Sequence, residues 1–440
     1  MPTYNLVLLK RFLFGILLVV LVLPAIQTKF PIFEMGSLGG YAERAPHPEF
    51  NYADILNNSY QPALEKYVED RIGFREALIR LRNQLGYSLF GVSKANGVLV
   101  GKDNMLFEDG GIYGYLGKDF RSADVARMNV RKFKLVQDTL AKRGILLVFA
   151  IAPDKANFFS ENIPDYYRKQ PRSQTNYSVY AQEMERKGVN MVDLAKLFKQ
   201  WKDTARYPLF PRGGIHWSGY GITLAADTLF RYIEQRGHFD LPNYSITSHT
   251  VTDKLRESDN DVAKSLNLIW EPTPFQMAYP EIKFEKPTPT QQKPKAIVVG
   301  DSFTWGFFSF YPFMSNLFDS KIQFWYYNTQ VQIGGRDDMP PSREVRLLNF
   351  EAEVLAQDVI LILFNQHNMD SFDHGFSITA YDLFFPLTDV DKKNIESIKQ
   401  KLSQDPKVQD KIWKQANTTN QDYNQLLYGM AVEEYELHRQ

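Results

Sequence analysis

The apolar and polar positions change period several times along the chain, and each change marks an element. An unbroken apolar run, FLFGILLVVLVLPAI, spans Phe12 to Ile26, and Leu6 to Leu9 extend it toward the start. From Thr28 to about Tyr60 the chain is rich in Pro, Gly and Tyr without period, which predicts a linker. Tyr60 to Phe90 carries Leu64, Val68, Ile72, Leu78, Leu81 and Leu85 at helical spacing. Gly97 to Phe107 reads as a β-hairpin turning at Lys102–Asn104. Thereafter helical and nearly all-apolar segments alternate. Helices are predicted over 123–143, 178–187, 194–202, 218–235, 304–318 and 342–357. Strands are predicted over 145–151, 189–192, 296–299, 322–327 and 359–364.

Strands that are apolar throughout and alternate with helices imply a parallel sheet covered on both faces, an α/β fold. The stretch from Pro272 to Pro294 holds six prolines and no clear period. The tail from Asp389 is polar, with Ile395, Ile398, Leu402, Ile412 and Trp413 as a modest stripe, and predicts helices packed on the main domain. The divisions are therefore 1–11, a cytoplasmic N-terminus; 12–27, a transmembrane signal anchor; 28–95, linker and helical segment; 96–385, the α/β domain; and 386–440, a C-terminal helical extension.

Charge and composition narrow the function. With 51 basic and 51 acidic residues the net charge is zero, so nothing suggests a nucleic-acid partner. The absence of cysteine removes disulfides, thiolate metal sites and a cysteine nucleophile. No metal-ligand spacing, phosphate-binding loop or dinucleotide fingerprint occurs, and neither metal nor cofactor is expected. Lys10 and Arg11 before the apolar run favour a cytoplasmic start and an exported remainder. The run is near signal-peptide length, but no small-x-small cleavage site follows Pro24, which favours an uncleaved anchor in the inner membrane.

Candidate chemistry gathers at the ends of the predicted strands. Gly300-Asp301-Ser302-Phe303 follows strand AIVV and opens a helix, so Ser302 lies at the carboxyl edge of a parallel sheet, where such folds bind ligands. Backbone N–H groups at a helix start can stabilise an oxyanion; the plainer reading of Asp301 or Ser302 is a helix N-cap. A serine hydroxyl needs a base. Of seven histidines, His216 stands in the Gly-rich loop PRGGIHWSGY that runs into a helix, with His367 and His374 as competitors. Asn365 and Asn368 follow the last strand at the same edge and offer amides to an oxyanion. Gly334-Gly335 after IQFWYY offers a backbone N–H or is a plain turn.

Four segments in order, GVLVGKDNMLF (97–107), APDKAN (152–157), YPLFPRGGIHWSGY (207–220) and VVGDSF (298–303), resemble the alginate O-acetyltransferase family of SGNH-like proteins, including the DHHW-related proteins. The resemblance implies an SGNH-hydrolase-like sheet, a Ser302 nucleophile, a His216 base and an acid two residues before that histidine. Position 214 is Gly, so the acid must come from elsewhere; Asp154 and Asp301 are the candidates. An Asn and a Gly complete the family's oxyanion hole, here Asn368 first, Asn365 second and Gly334 as the glycine. It further implies O-acetylation of an exported polysaccharide, with a membrane-bound O-acyltransferase as acetyl donor. Acetyl-ester hydrolysis by the same fold, or a non-catalytic polysaccharide-binding or assembly role, are the alternatives that Gly214 keeps open.

Overall fold

The computed structural model describes residues 2–34, 36–40, 44–334 and 339–439. Ten strands occur among them: β1 (Val98–Val100), β2 (Leu106–Glu108), β3 (Leu146–Ala152), β4 (Met191–Asp193), β5 (Tyr244–Thr252), β6 (Met277–Phe284), β7 (Ala296–Gly300), β8 (Gln323–Tyr326), β9 (Gln330–Ile333) and β10 (Val359–Asn365). Six form the central sheet in the order β4-β3-β10-β7-β8-β9. The first five run parallel, and β9 folds back antiparallel on β8. The sheet is thus mixed, with one antiparallel edge, rather than wholly parallel.

Why the strands read as continuous apolar runs is plain from their two faces. In β3, Val148 and Ala150 enter one core while Leu147, Phe149 and Ile151 enter the other. In β10, Leu361 and Leu363 oppose Ile360, Ile362 and Phe364 in the same way. Side chains alternate with period two, so burying both faces requires every position to be apolar. The helix Gly219–Gly237 covers one face through Ile222, Ala225, Leu229 and Ile233. Ala123–Ala141 and Asn176–Lys187 cover the other through Val130, Phe133, Val179 and Met184.

Several sequence expectations fail for local reasons. The helix expected over 304–318 is three pieces: a 3-10 turn (Ser302–Thr304), a π-turn (Gly306–Phe310) and a short α-helix (Phe313–Leu317) entered through Pro312. Only Val345–Leu347 and Phe350–Leu355 are helical within 342–357, because Leu348 is extended and Asn349 caps a new start. The helix expected over 60–90 breaks between Glu69 and Arg75, where Phe74 takes a left-handed φ of 63°. The unpatterned stretch 272–294 holds β6, which pairs antiparallel with β5, a mostly exposed strand that the sequence pattern also did not mark. Three helices close the chain, Asp389–Leu402, Pro406–Thr419 and Tyr423–His438.

The N-terminal helix runs Pro2–Lys29, and its apolar part, Leu6–Lys29, is long and apolar enough to cross a membrane. Its 24 residues span roughly 36 Å at 1.5 Å per residue, against a hydrocarbon core of about 30 Å. Where it ends, Thr28 Oγ accepts from the Gly73 N–H at 2.7 Å.

Candidate active site

Ser302 lies where β7 leaves the sheet. Gly300 lets the turn close, since a Cβ there would stand 2.3 Å from Thr304 Oγ and 2.5 Å from the Leu363 carbonyl. Asp301 is fully buried and braces the turn: its carboxylate accepts from the N–H groups of Phe303 (3.0 Å) and Asn365 (2.7 Å) and from Asn368 Nδ2 (2.7 Å). One carboxylate thereby ties the β7 turn to the β10 turn.

His216 is held by its loop. Lys155, fully buried, donates to the carbonyls of Arg212 (2.8 Å) and Gly214 (2.7 Å). Burial pushes the Lys155 ammonium down to about 7, against the pull of Asp261 and Asp154. Ser218 caps the following helix by accepting from the Gly221 N–H, and its hydroxyl donates to the Pro208 carbonyl at 2.7 Å. Trp217 is buried against Phe303, whose ring also meets the imidazole of His216 at 4.8 Å.

The two side chains meet: His216 Nε2 is 2.8 Å from Ser302 Oγ. On the far side of the ring, Nδ1 is 2.7 Å from Asp261 Oδ2. Asp261's other oxygen accepts from the N–H groups of Val262 (2.7 Å) and Ile215 (3.3 Å), which fixes the carboxylate. A carboxylate only accepts, so with Asp261 ionised Nδ1 carries the hydrogen and Nε2 is left to accept from the serine hydroxyl.

Gly214 now has a physical account. A Cβ there would lie 2.4 Å from the Ser258 carbonyl and 2.9 Å from the Asp259 carbonyl carbon. The segment between β5 and β6 passes over position 214 and brings Asp261 to the imidazole. The carboxylate on His216 therefore comes from 45 residues after the histidine, not from two before it.

Asp154 and Asp301, the acids proposed from sequence, are engaged elsewhere. Asp154 caps Lys155–Phe158 through Oδ1, and its Oδ2 lies 3.2 Å from His367 Nδ1. Burial disfavours the charged form of His367, but the hydrogen bond and charge of Asp154 outweigh it and raise its pKa. His374 packs on Phe364, and burial lowers its pKa. Asn365 is buried, donating to the Pro153 carbonyl at 2.9 Å. Gly334, expected to complete the oxyanion hole, does not reach the site. The chain reverses at Tyr327 and Asn328, so β9 runs back and leaves Gly334 beside the Ile322 carbonyl, at the opposite edge of the sheet from Ser302. Gly335 lies outside the described residues.

A cleft of about 470 Å³ opens over Ser302, His216 and Asp261, with Asn368, Tyr327 and His367 on its wall. Glu108 also faces it, and burial raises its pKa. Among the described residues no cluster of His, Cys, Asp and Glu is arranged to hold a metal. Asp261 was the residue that sequence reasoning missed. Its one signal was the polar run RESDND at 256–261, the densest acidic stretch between the histidine and serine segments.

Residues 98–330 match the family model described as "SGNH hydrolase-like domain, acetyltransferase AlgX". The chain is 25% identical over 232 residues to a "Probable alginate O-acetylase AlgJ" of Pseudomonas aeruginosa, covering 52% of this chain and 54% of that one. It is 28% identical over 197 residues to a protein so described from Azotobacter vinelandii, covering 43% and 47%. The chain thus spans about half the length of these curated relatives. Similar solved structures include the O-acetyltransferase domain of Pseudomonas putida AlgJ (TM-score 0.42, 19% identity, 65% of this chain and 99% of that one). Bacillus cereus PatB1 is another (TM-score 0.39, 13% identity, 63% and 99%). The family model covers more than half of the chain, including both the His216 and the Ser302 segments. The chain belongs to the SGNH hydrolase-like family of AlgX-type acetyltransferase domains.

Proposed function

We propose that this chain is a membrane-anchored, extracytoplasmic O-acetyltransferase that moves an acetyl group through an acyl-Ser302 intermediate onto hydroxyls of an exported polysaccharide. The observation that carries the reading is the line Ser302–His216–Asp261, with contacts of 2.8 and 2.7 Å. His216 takes the Ser302 proton as Oγ attacks the acetyl carbonyl, then returns it to the donor's leaving oxygen. A sugar hydroxyl, deprotonated by the same imidazole, resolves the acyl-enzyme. Asp261 holds the tautomer and stabilises the imidazolium.

The oxyanion takes its hydrogen bonds from the Ser302 N–H and the Asn368 amide. Asp301 holds Asn368 Nδ2 at 2.7 Å, and the second hydrogen of that amide has only a 3.4 Å contact to the Tyr327 hydroxyl. The cleft of about 470 Å³ suits a sugar of the acceptor chain. The apolar helix at 6–29 keeps Ser302 near a membrane-bound O-acyltransferase that supplies acetyl groups, raising their effective concentration. Gly214 gave weight to a non-catalytic role; a carboxylate from Asp261 at His216 Nδ1 supports the catalytic one.

The test is incubation of the full chain with an activated acetyl ester, with and without oligosaccharide acceptors. Acetylated sugar formed by wild type and not by Ser302→Ala supports the transferase. Free acetate as the sole product with every acceptor makes it an esterase, and equal product from Ser302→Ala removes the nucleophile.

A further inference from the structure

Two spaces open from Ser302, one of them walled mainly by aromatic and aliphatic side chains. The larger is the cleft described above, which mixes apolar side chains with Glu108, His216, Asp261, His367 and Asn368. The second, of about 110 Å³, shares Ser302, His216 and Phe303 with it but is walled by Trp217, Ile222, Trp305 and Phe310, with Gly306 between them. Its other polar side chains are Ser258 and Ser309, and Ser309 is exposed.

The pocket is a product of the irregular turn after Ser302. A regular α-helix would carry side chains across this space; instead a 3-10 turn passes into the π-turn Gly306–Phe310. Single π-turns recur at functional sites because they re-aim the residues around them. Gly306 is essential to the floor, since a Cβ there would lie 2.6 Å from Trp217 Nε1 and 3.2 Å from Ile222. Trp305 stands as a wall, edge-on to Phe324 at 5.0 Å.

Volume and polarity decide what fits. At about 110 Å³ against about 470 Å³, the pocket is roughly a quarter the size of the cleft, so the smaller of the two reacting groups, the acyl tail, fits here and the sugar fits the cleft. An acetyl group on Ser302 directs its oxygen to the N–H donors and leaves one methyl for this pocket, with room for more carbons.

We infer that this pocket is the acyl subsite and that it accepts short acyl chains from acetyl through butyryl, not acetyl alone. The inference rests on Ser302 being the nucleophile. Its Oγ–acyl bond forms as the donor's ester bond breaks, and His216 moves the proton from Ser302 to the leaving oxygen. The acyl tail then lies against Trp217, Ile222 and Trp305 while the acceptor occupies the larger cleft.

The experiment uses the full chain in detergent with para-nitrophenyl esters from acetyl to octanoyl, each corrected for its spontaneous hydrolysis. Alkanesulfonyl fluorides of increasing length serve in parallel, with mass spectrometry of the Ser302 peptide. In the wild type kcat/KM rises roughly three- to fourfold per added methylene to butyryl, as expected for methylenes leaving water, and falls tenfold or more by hexanoyl. Trp305→Ala moves the optimum to longer chains, and Ser309→Leu, at the exposed rim, moves it toward acetyl. A drop above tenfold from acetyl to propionyl in the wild type, or a chain-length profile unmoved by both variants, overturns the subsite while leaving Ser302 as nucleophile. Failure of every sulfonyl fluoride to label Ser302 overturns both.

Discussion

Asp261→Asn removes one property of the site while keeping its shape. The side-chain oxygen that accepts from the Val262 and Ile215 N–H groups survives as the amide oxygen, so the amide nitrogen turns toward His216 Nδ1. It donates there, which places the imidazole hydrogen on Nε2, the atom that must accept the Ser302 proton. In a buried triad this swap costs about four orders of magnitude in kcat. Here Asp261 is 32% exposed and His216 15%, so water can stand in for part of the lost charge. The expected loss in kcat is about 10² to 10³, or about 3–4 kcal/mol of barrier, with KM little changed. Steady-state hydrolysis of para-nitrophenyl acetate by wild type and variant, with melting curves to show equal folding, measures it. Turnover by Asp261→Asn within threefold of wild type refutes the argument, as does a larger loss in Asp154→Asn than in Asp261→Asn.

The other predictions concern the surroundings of this site. Gly214→Asp in an Asp261→Asn background restores no activity, because the new Cβ meets the Ser258 carbonyl at 2.4 Å; recovery of turnover would show that the loop yields. Asp259 is pushed up to about 7 by burial, with the Tyr279 hydroxyl its partner at 2.7 Å opposing the shift. The unfolded carboxylate releases its proton near 3.8, so the folded state binds more protons between about pH 4 and 7 and stability falls as pH rises through that window. Asp259→Asn lacks this slope and is more stable than wild type at pH 8 by roughly 4 kcal/mol at most, three pKa units being the ceiling; urea denaturation at pH 4.5 and 8 reads it, and a pH-independent difference contradicts it. Asp301→Ala leaves the Asn365 N–H and the Asn368 amide without their acceptor and lowers stability by about 2–4 kcal/mol, seen as a fall in the denaturation midpoint. His367→Ala lowers small-ester turnover by less than tenfold, against the hundredfold or more expected of His216→Ala under the same assay.

The sheet was legible because its rule is simple. β3, β7 and β10 are buried on both faces, so every residue had to be apolar and the runs stood out. The placement of Ser302 at the end of such a strand and of His216 in a loop entering a helix was legible in the sequence as well. Asp261 was not. It follows β5, a strand that is mostly exposed and carries no hydrophobic period, and the contacts that tie its segment to the histidine loop (Ala263 N–H to the Gly213 carbonyl, Ser258 over Gly214) join residues more than 40 positions apart. Gly334 was misplaced because β9 has only four residues, two of them polar glutamines, and its backward course depends on two left-handed residues that sequence alone did not mark. The helix after Ser302 was overextended because its aromatic residues fit a helical stripe, while Gly306 and Pro312 impose a π-turn and a break.

The central claim is that acyl transfer passes through Ser302 under the control of His216 and Asp261. Brief incubation of the full chain with an activated acetyl ester, acid quenching and peptide mass spectrometry tests it most directly. The account predicts an acetyl group on the peptide bearing Ser302 in the wild type, far less of it in His216→Ala, and none in Ser302→Ala. Acetyl recovered on another residue as the dominant adduct, or acetyl-ester turnover undiminished in Ser302→Ala, would contradict it.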